Sequence, residues 1–314
     1  ARARPRAALR ALRRSPSAAA PMPDLSRRAL LSDAITRLRL ASVEAPERNA
    51  EWLLSHVIGV GRAHLLAYPE ALLSADEAAQ YEALVARRLA REPLQYVTGE
   101  AHFYGLALRV EPAVLIPRPE TEEVVEAALA TIADADAPWV LDIGTGSGAI
   151  ALAVKHERPD AEVFAVDVSA EALDVAMRNA QRLDLDVAFV HADLFDPRFT
   201  ERVENRFDLV LSNPPYVPDE ELDTLQPEVR DFAPEGALVT GGDPLRFYRA
   251  LAVVGAELLK PGGWLVVETH ADYGRAVRDL YASEEGFGHA ALRQDLARRD
   301  RIVRAQQPAH PRPE

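Results

Sequence analysis

The sequence predicts an α/β fold: a doubly wound, mostly parallel sheet that follows a small helical bundle and is joined to it by a β-hairpin. Three observations predict it. Short β-rich runs alternate with helical stretches from Trp139 onward, apolar residues recur at three- and four-residue spacings from Asp24 to about Arg91, and helical periodicity stops between Pro93 and Pro112.

In chain order, Leu30, Leu31, Ala34, Ile35 and Leu38 form one face of a first helix. A second begins near Pro46 and ends at Gly59, with Trp52, Leu53, His56 and Val57 as its apolar stripe; Pro near the start and Gly just past the end follow the usual asymmetry of helix termini. Ser74 and Glu77 make a capping box that opens a third, turning Tyr81, Leu84, Val85 and Leu89 inward. No catalytic signature lies in this bundle, whose expected work is to position something. Gln95–Thr98 and Leu106–Val110 flank a turn bounded by Gly99 and Gly105 and read as the two arms of the hairpin. The strands of the sheet are then Trp139–Ile143, Glu162–Asp167, Val187–Val190, Phe207–Ser212 and Gly263–Glu268. In sheets of this kind ligands bind at the carboxyl ends of the strands, so the site is expected just after those runs. The domain boundaries expected are 1–23 for a basic extension, 24–92 for the helical domain, 93–112 for the hairpin linker and 113–308 for the α/β domain.

Composition narrows the chemistry. A chain of 314 residues with 48% hydrophobic and 27% charged residues has the balance of a globular protein and is long enough for two domains. No apolar run reaches bilayer-spanning length, so no membrane role is expected. Cysteine is absent, which removes disulfides, zinc–thiolate sites, iron–sulfur clusters and thiol nucleophiles. None of the eight histidines pairs with carboxylates at a helical metal-ligand spacing, so no metal site is expected. The net charge of −13 is uneven: residues 1–23 hold six arginines and no acid, leaving 30 basic and 49 acidic residues elsewhere, a net −19. So acidic a body repels phosphate backbones, and no stable nucleic-acid complex is expected. The Ala/Pro/Ser-rich, arginine-bearing head reads as a disordered or non-native extension ahead of Met22, with a transit peptide as the alternative.

The chemistry gathers at four strand ends. Asp142-Ile-Gly144-Thr145-Gly146-Ser147-Gly148-Ala149 follows the first strand and opens an apolar helix; glycines admit a ligand to the backbone, and the helix N-terminus offers free N–H groups. A nucleotide-like cofactor is the reading, although Gly144, Gly146 and Ala149 also satisfy the dinucleotide pattern. Asp167 closes the second strand where a carboxylate can accept both ribose hydroxyls; its alternative is a helix N-cap near Ala170. Asp193 can accept from an adenine amino group with Leu194 beside the ring, or merely cap a loop. The fourth strand ends in Ser212-Asn213-Pro214-Pro215-Tyr216. Two prolines stiffen the backbone and donate no N–H, leaving the Asn213 side-chain oxygen and the Pro214 carbonyl as acceptors that suit an –NH2 group. Holding both amino hydrogens aims the nitrogen at an electrophile, and Tyr216 can pack on the planar group that carries it.

Taken together, the Gly144–Gly148 turn, Asp167 and Asn213-Pro-Pro-Tyr216 resemble class I S-adenosylmethionine-dependent methyltransferases of planar amino nitrogens. Leu115-Ile-Pro-Arg-Pro-Glu-Thr-Glu122, Glu100-Ala-His-Phe-Tyr-Gly105, Gln226-Pro-Glu-Val-Arg230, Pro234-Glu-Gly-Ala-Leu238, Gly241-Gly-Asp-Pro-Leu-Arg-Phe-Tyr248 and Asp295-Leu-Ala-Arg-Arg-Asp-Arg301 extend the resemblance, over roughly residues 24–305, to the bacterial protein-(glutamine-N5) methyltransferases of peptide chain release factors. The resemblance implies a seven-stranded Rossmann-like sheet, S-adenosyl-L-methionine as cofactor with S-adenosyl-L-homocysteine as product, and the glutamine of the Gly-Gly-Gln motif of class 1 release factors as substrate. It implies a cytoplasmic monomer. Gly144, Thr145, Gly146, Ser147, Gly148, Asp167, Asp193, Leu194 and Asn213 would bind the cofactor; Asn213 and Pro214 would accept from the amide –NH2, Pro215 would shape the turn and Tyr216 would line the slot. Arg118, Glu120 and Thr121 would form a lip over both ligands, with Thr121 alternatively capping a helix that begins near Glu122. Relatives often have an aromatic at Leu194, and a glycine close after the acid at Glu268 where this chain has Thr269 and His270, so no role is assigned to His270. An amino-methyltransferase of DNA adenine or cytosine, or of ribosomal RNA, is the rival, since the same tetrapeptide serves a flipped base.

Overall fold

Short α-helices come first because the early sequence supplies caps and stripes rather than alternation. The computed structural model describes residues 25–203 and 206–309, so the expectation for residues 1–23 lies outside the described residues. The chain separates into two compact units, divided between Val85 and Ala86.

The first unit contains α1 (Arg27–Leu40), α2 (Pro46–Ile58), α3 (Arg62–Ala67) and the larger part of α4 (Ala75–Leu89). The short helix α3 was not expected. Ser26 caps α1, and the capping box of α4 is present: the Ser74 backbone N–H donates to Glu77 Oε2 at 2.8 Å and the Glu77 N–H donates to Ser74 Oγ at 3.2 Å. Ala34, Leu38, Ala50, Leu53, Leu54, Leu65, Tyr81 and Val85 are buried. The stripe of α2 is rotated from the expected one. Trp52 and His56 are exposed, because Ala50 and Leu54 flank Leu53 on the buried side. The smaller Ala50 sits in the core while the larger Trp52 stays at the surface.

In the second unit the first expected hairpin arm is corrected. Gln95–Thr98 is not a strand; it belongs to α5 (Leu94–Thr98), and the hairpin is β1 (Glu100–Phe103) with β2 (Leu106–Arg109). Pro93 stands at the N-cap and Gly99 terminates the turn with φ 74°, while Arg87 donates to the carbonyls of Tyr96 and Val97 at 3.2 and 3.1 Å. A guanidinium on the terminal carbonyls of a helical turn outweighs the β preference of Val97 and Thr98.

The main sheet follows. After α6 (Pro119–Leu129) come β3 (Trp139–Ile143), α7 (Ala149–Glu157), β4 (Glu162–Asp167), α8 (Ala170–Leu183), β5 (Ala188–His191), α9 (Phe199–Val203) and β6 (Phe207–Ser212). Then come α10 (Pro227–Arg230), α11 (Arg246–Leu258), β7 (Leu259–Glu268), α12 (Gly274–Ser283), β8 (His289–Gln294) and β9 (Asp300–Gln306). Seven strands lie in the order β5-β4-β3-β6-β7-β9-β8, with β9 the reversed strand. Alternate residues feed opposite faces: Val140, Leu209, Leu211 and Val266 pack with α6 and α7, whereas Leu141, Val210, Leu265 and Val267 pack with α11 and α12. Burial on both faces is why these strands read as continuous apolar runs. No helix among the described residues is long and apolar enough to cross a membrane.

Asn179 of α8 fastens the hairpin. Fully buried, it accepts from the Arg109 N–H at 2.7 Å and donates to the carbonyls of Arg109 (3.0 Å) and Ser147 (2.9 Å). One side chain thus joins β2 to the glycine-rich turn. Asn179→Ala is expected to destabilise the second unit by roughly 2–3 kcal/mol by stranding three backbone groups. Urea unfolding measures the loss, and amide exchange should show Arg109 deprotected selectively.

Candidate active site

Pairing of β3 with β6, in parallel register from Val140 with Leu209 to Asp142 with Leu211, puts two distant loops side by side. The turn after β3 and the tetrapeptide after β6 therefore share one edge, where strand order reverses. Ser212 Oγ donates to the Ile143 carbonyl at 2.7 Å and locks the two exits together.

The glycine-rich turn is held from beneath by β4: the Gly144 and Thr145 N–H groups both donate to the Val166 carbonyl, at 2.8 and 3.0 Å. Gly146 has φ 54° and its N–H donates to Asp167 Oδ2 at 2.8 Å. Gly148 has φ 83°, and a Cβ there would come within 3.0 Å of Leu152 and 3.2 Å of Ala176, so it needs glycine for both conformation and space. Buried Thr145 donates to Asp142 Oδ2 at 2.7 Å, which also accepts from the Ala151 N–H at 3.2 Å. Asp142 Oδ1 is buried and has no hydrogen-bond partner among the described residues. Burial without a counter-ion pushes the Asp142 carboxyl up to about 7, against the pull of Thr145 and Ala151.

Asp167 is not the cap of α8. Ser169 takes that place, its Oγ accepting from the Ala172 N–H, while Asp167 Oδ1 accepts from the Ser169 N–H at 2.9 Å. Desolvation raises the Asp167 pKa despite these backbone donors. Asp193 is exposed and accepts from the Phe195 N–H at 2.9 Å; Leu194 is half-buried.

Asp167, Asp193, Leu194, Asn213 and the turn from Gly144 to Ser147 line one cavity of about 410 Å³. Gly148 caps α7 behind this wall. Two aromatics missed in the sequence also line it: Phe195 and Phe247, edge to face at 5.1 Å, with the Arg246 guanidinium over the Phe195 ring at 4.2 Å. Phe195 directly follows Leu194, and Phe247 belongs to the Gly241–Tyr248 run.

A second cavity of about 250 Å³ is lined by Glu120, Tyr216, Val229, Glu268 and Arg301. Arg118, Asn213 and Pro214 line both cavities. Asn213 and Pro214 therefore stand in the wall common to the two, with Pro215 lining the first cavity and Tyr216 the second. Of the expected lip, Arg118 faces both cavities, Thr121 the first and Glu120 the second. The capping alternative for Thr121 is overturned: α6 begins at Pro119, with Arg118 at its N-cap, and Thr121 is buried inside its first turn. Pro119 sets the helix start because its fixed φ suits the first helical position.

Thr121 instead makes the contact that sequence reasoning missed. Its Oγ1 donates to Glu268 Oε2 at 2.6 Å and accepts from Asn213 Nδ2 at 3.1 Å, and Tyr216 donates to Glu268 Oε1 at 3.2 Å. Glu268 is 1% exposed, and desolvation raises its pKa while Thr121, Arg301 and Tyr216 oppose the rise. His270 lines neither cavity; its ring lies 6.0 Å from Tyr216 and 5.5 Å from Tyr273. Among the described residues no cluster of His, Asp or Glu could hold a metal ion.

A glycine-rich turn, an acid at the next strand end and a stiff Asn-Pro-Pro-Tyr corner, set in this strand order, define a Rossmann-like methyltransferase whose cofactor is S-adenosyl-L-methionine. Residues 29–99 match the family described as PrmC N-terminal domain, and residues 124–243 match the methyltransferase small domain. The release factor glutamine methyltransferase of Chlorobaculum tepidum is 42% identical over 281 residues, covering 87% of this chain and 94% of its own. That of Geobacter sulfurreducens is 43% identical over 261 residues, covering 83% and 89%. The hMettl16 catalytic domain, solved in complex with the MAT2A 3'UTR hairpin 6, shares the fold with a TM-score of 0.52 at 15% identity, covering 76% of this chain and 84% of that one. The chain belongs to the release factor glutamine methyltransferase family.

Because Asp142 holds its proton to about pH 7 in the fold but ionises near 4 when unfolded, its contribution to stability is complete below about pH 4 and lost as pH rises through 7. Asp142→Asn mimics the protonated acid. Its unfolding free energy relative to the parent should climb on the order of 4 kcal/mol between pH 4 and 8 and then level off. Denaturant melts across this range test it; a flat difference means that Asp142 is ionised in the folded chain.

Proposed function

We propose that this protein transfers a methyl group from S-adenosyl-L-methionine to the side-chain amide N5 of the glutamine in the Gly-Gly-Gln motif of class 1 release factors, acting as a cytoplasmic monomer with no stable nucleic-acid or membrane partner. The observation that carries it is the place of Asn213 and Pro214 on the wall common to the two cavities. The family's named substrate supports the choice of amide.

The first cavity fits the cofactor. Glycines 144 and 146 have open space where a Cβ would stand, and the carboxylates of Asp167 and Asp193 line the same cavity, together with Arg118 and Arg246. Gly144–Gly148 would meet the cofactor through backbone groups, Asp167 its ribose, and Asp193, Leu194 and Phe195 its adenine. When bound, the group supplies a sulfonium-activated methyl.

On the other side of the wall the second cavity would take the glutamine. An amide nitrogen is a poor nucleophile because its lone pair is delocalised. Asn213 Oδ1 and the Pro214 carbonyl would accept its two hydrogens, hold the nitrogen in line and stabilise positive charge as it develops there. Pro215 stiffens the corner and Tyr216 flanks the carboxamide. Flanking glycines let a thin substrate loop enter so small a space. Among the described residues no His or Lys lines the second cavity, and both oxygens of Glu268 there already accept from Thr121 and Tyr216. The departing proton, acidic once the methyl has been transferred, would pass to solvent or to Glu120 at the cavity edge.

Asn213→Ala is expected to lower kcat for release factor by roughly 100- to 1000-fold, the usual cost of losing one preorganised polar contact to the reacting group. Mass spectrometry of the target glutamine reads the product. In parallel, labelled cofactor offered to release factor and to nucleic acid should mark the protein; label confined to nucleic acid would transfer the reading to the rival.

A further inference from the structure

The two ends of the Asn-Pro-Pro-Tyr corner are tied to one buried acid. Glu268, at the end of β7, receives the Thr121 hydroxyl on Oε2 and the Tyr216 hydroxyl on Oε1, and Thr121 receives Asn213 Nδ2. The direction of each bond in this chain is set by charge. A carboxylate only accepts, and a hydroxyl has a single hydrogen. Once Thr121 has donated to Glu268, only its lone pairs remain for Asn213. They can be met only by the Nδ2 end of that amide, which leaves Oδ1 for the cavity wall.

We propose that Thr121 and Glu268 are positioning residues that fix the Asn213 amide with its oxygen toward the substrate nitrogen. This rests on Asn213 being the acceptor for the substrate amide. With the chain reversed, Asn213 would present –NH2 to another –NH2, and two donors would face each other. Reversal requires a proton on Glu268, whose neutral carboxyl could donate to Thr121 and release the threonine hydrogen to Asn213 Oδ1. The groups that bear on this acid are Thr121 and Glu120 from α6, Tyr216 after β6, Tyr248 from α11, whose hydroxyl donates to the Glu268 carbonyl at 3.1 Å, and Arg301 from β9. Arg301 favours the charged acid; Glu120 and burial oppose it.

The test uses the full chain with release factor and S-adenosylmethionine. Thr121→Val should lower kcat about 10- to 100-fold with cofactor affinity close to the parent's, and Thr121→Ser, which keeps the hydroxyl, should restore it. The parent's kcat should fall toward acid with a limb above the ordinary carboxylate range, because burial raises Glu268. That limb should vanish in Glu268→Gln, and the Asn213 side-chain amide resonances should follow pH in the parent but not in Glu268→Gln. Parent-like kcat and pH profile in Thr121→Val, alongside an inactive Asn213→Ala, overturn the positioning role and leave the acceptor standing. An active Asn213→Ala overturns the acceptor itself. If Thr121→Val does not fold, Glu268→Gln decides: an acid limb that persists there overturns the proposal.

Discussion

Pairing of β3 with β6 is the constraint on which the rest of the site depends. Strand order reverses at this pair, since the chain runs outward through β4 and β5 and returns to the other side of β3. No crossover covers the carboxyl ends there, so a crevice is unavoidable. The glycine-rich turn and the Asn-Pro-Pro-Tyr corner lie about seventy residues apart in sequence and become neighbours only through that register. The Ser212 hydroxyl on the Ile143 carbonyl keeps their spacing rigid.

Around this crevice the fold spends stability on buried acids. Asp142, near the end of β3, and Glu268, at the end of β7 on the far side of β6, lie almost wholly out of water, and both are pushed toward neutrality by desolvation. Among the described residues neither has a direct ion pair; Arg301 sits with Asp295 instead, at 3.2 Å. Hydroxyls and backbone N–H groups hold these acids in place. Such an arrangement fixes orientation rather than adding net stabilisation, because desolvation of each acid offsets its hydrogen bonds.

Much of this was legible in order along the chain. Strand–helix alternation, the three glycines at 144, 146 and 148, the acid at Asp167 and the Asn213 tetrapeptide are local patterns whose meaning is set by backbone conformation and donor inventory, and each stands at a strand end. The errors were local too. Gln95–Thr98 has strand composition but is a helical turn, because Arg87, several residues earlier, caps its carbonyls. Trp52 looked like a core residue and is exposed, because the smaller Ala50 faces inward. Thr121 has the composition of a cap but lies within the first turn of α6, where Arg118 holds the N-cap.

By itself, then, the sequence determined the fold class, and the resemblance of its motifs pointed to the family. Which groups offer donors, acceptors or a stiff corner was also legible, because glycine torsions, proline rigidity and hydrogen-bond capacity belong to single residues and short runs. Only the tertiary structure decided which of those groups share a wall and which way the Asn213 amide is turned. Thr121 and Asn213 are ninety-two residues apart, and Thr121 and Glu268 one hundred and forty-seven. No periodicity or local motif encodes a bond across such a span; it exists because α6, β6 and β7 converge on one buried carboxylate that can only accept.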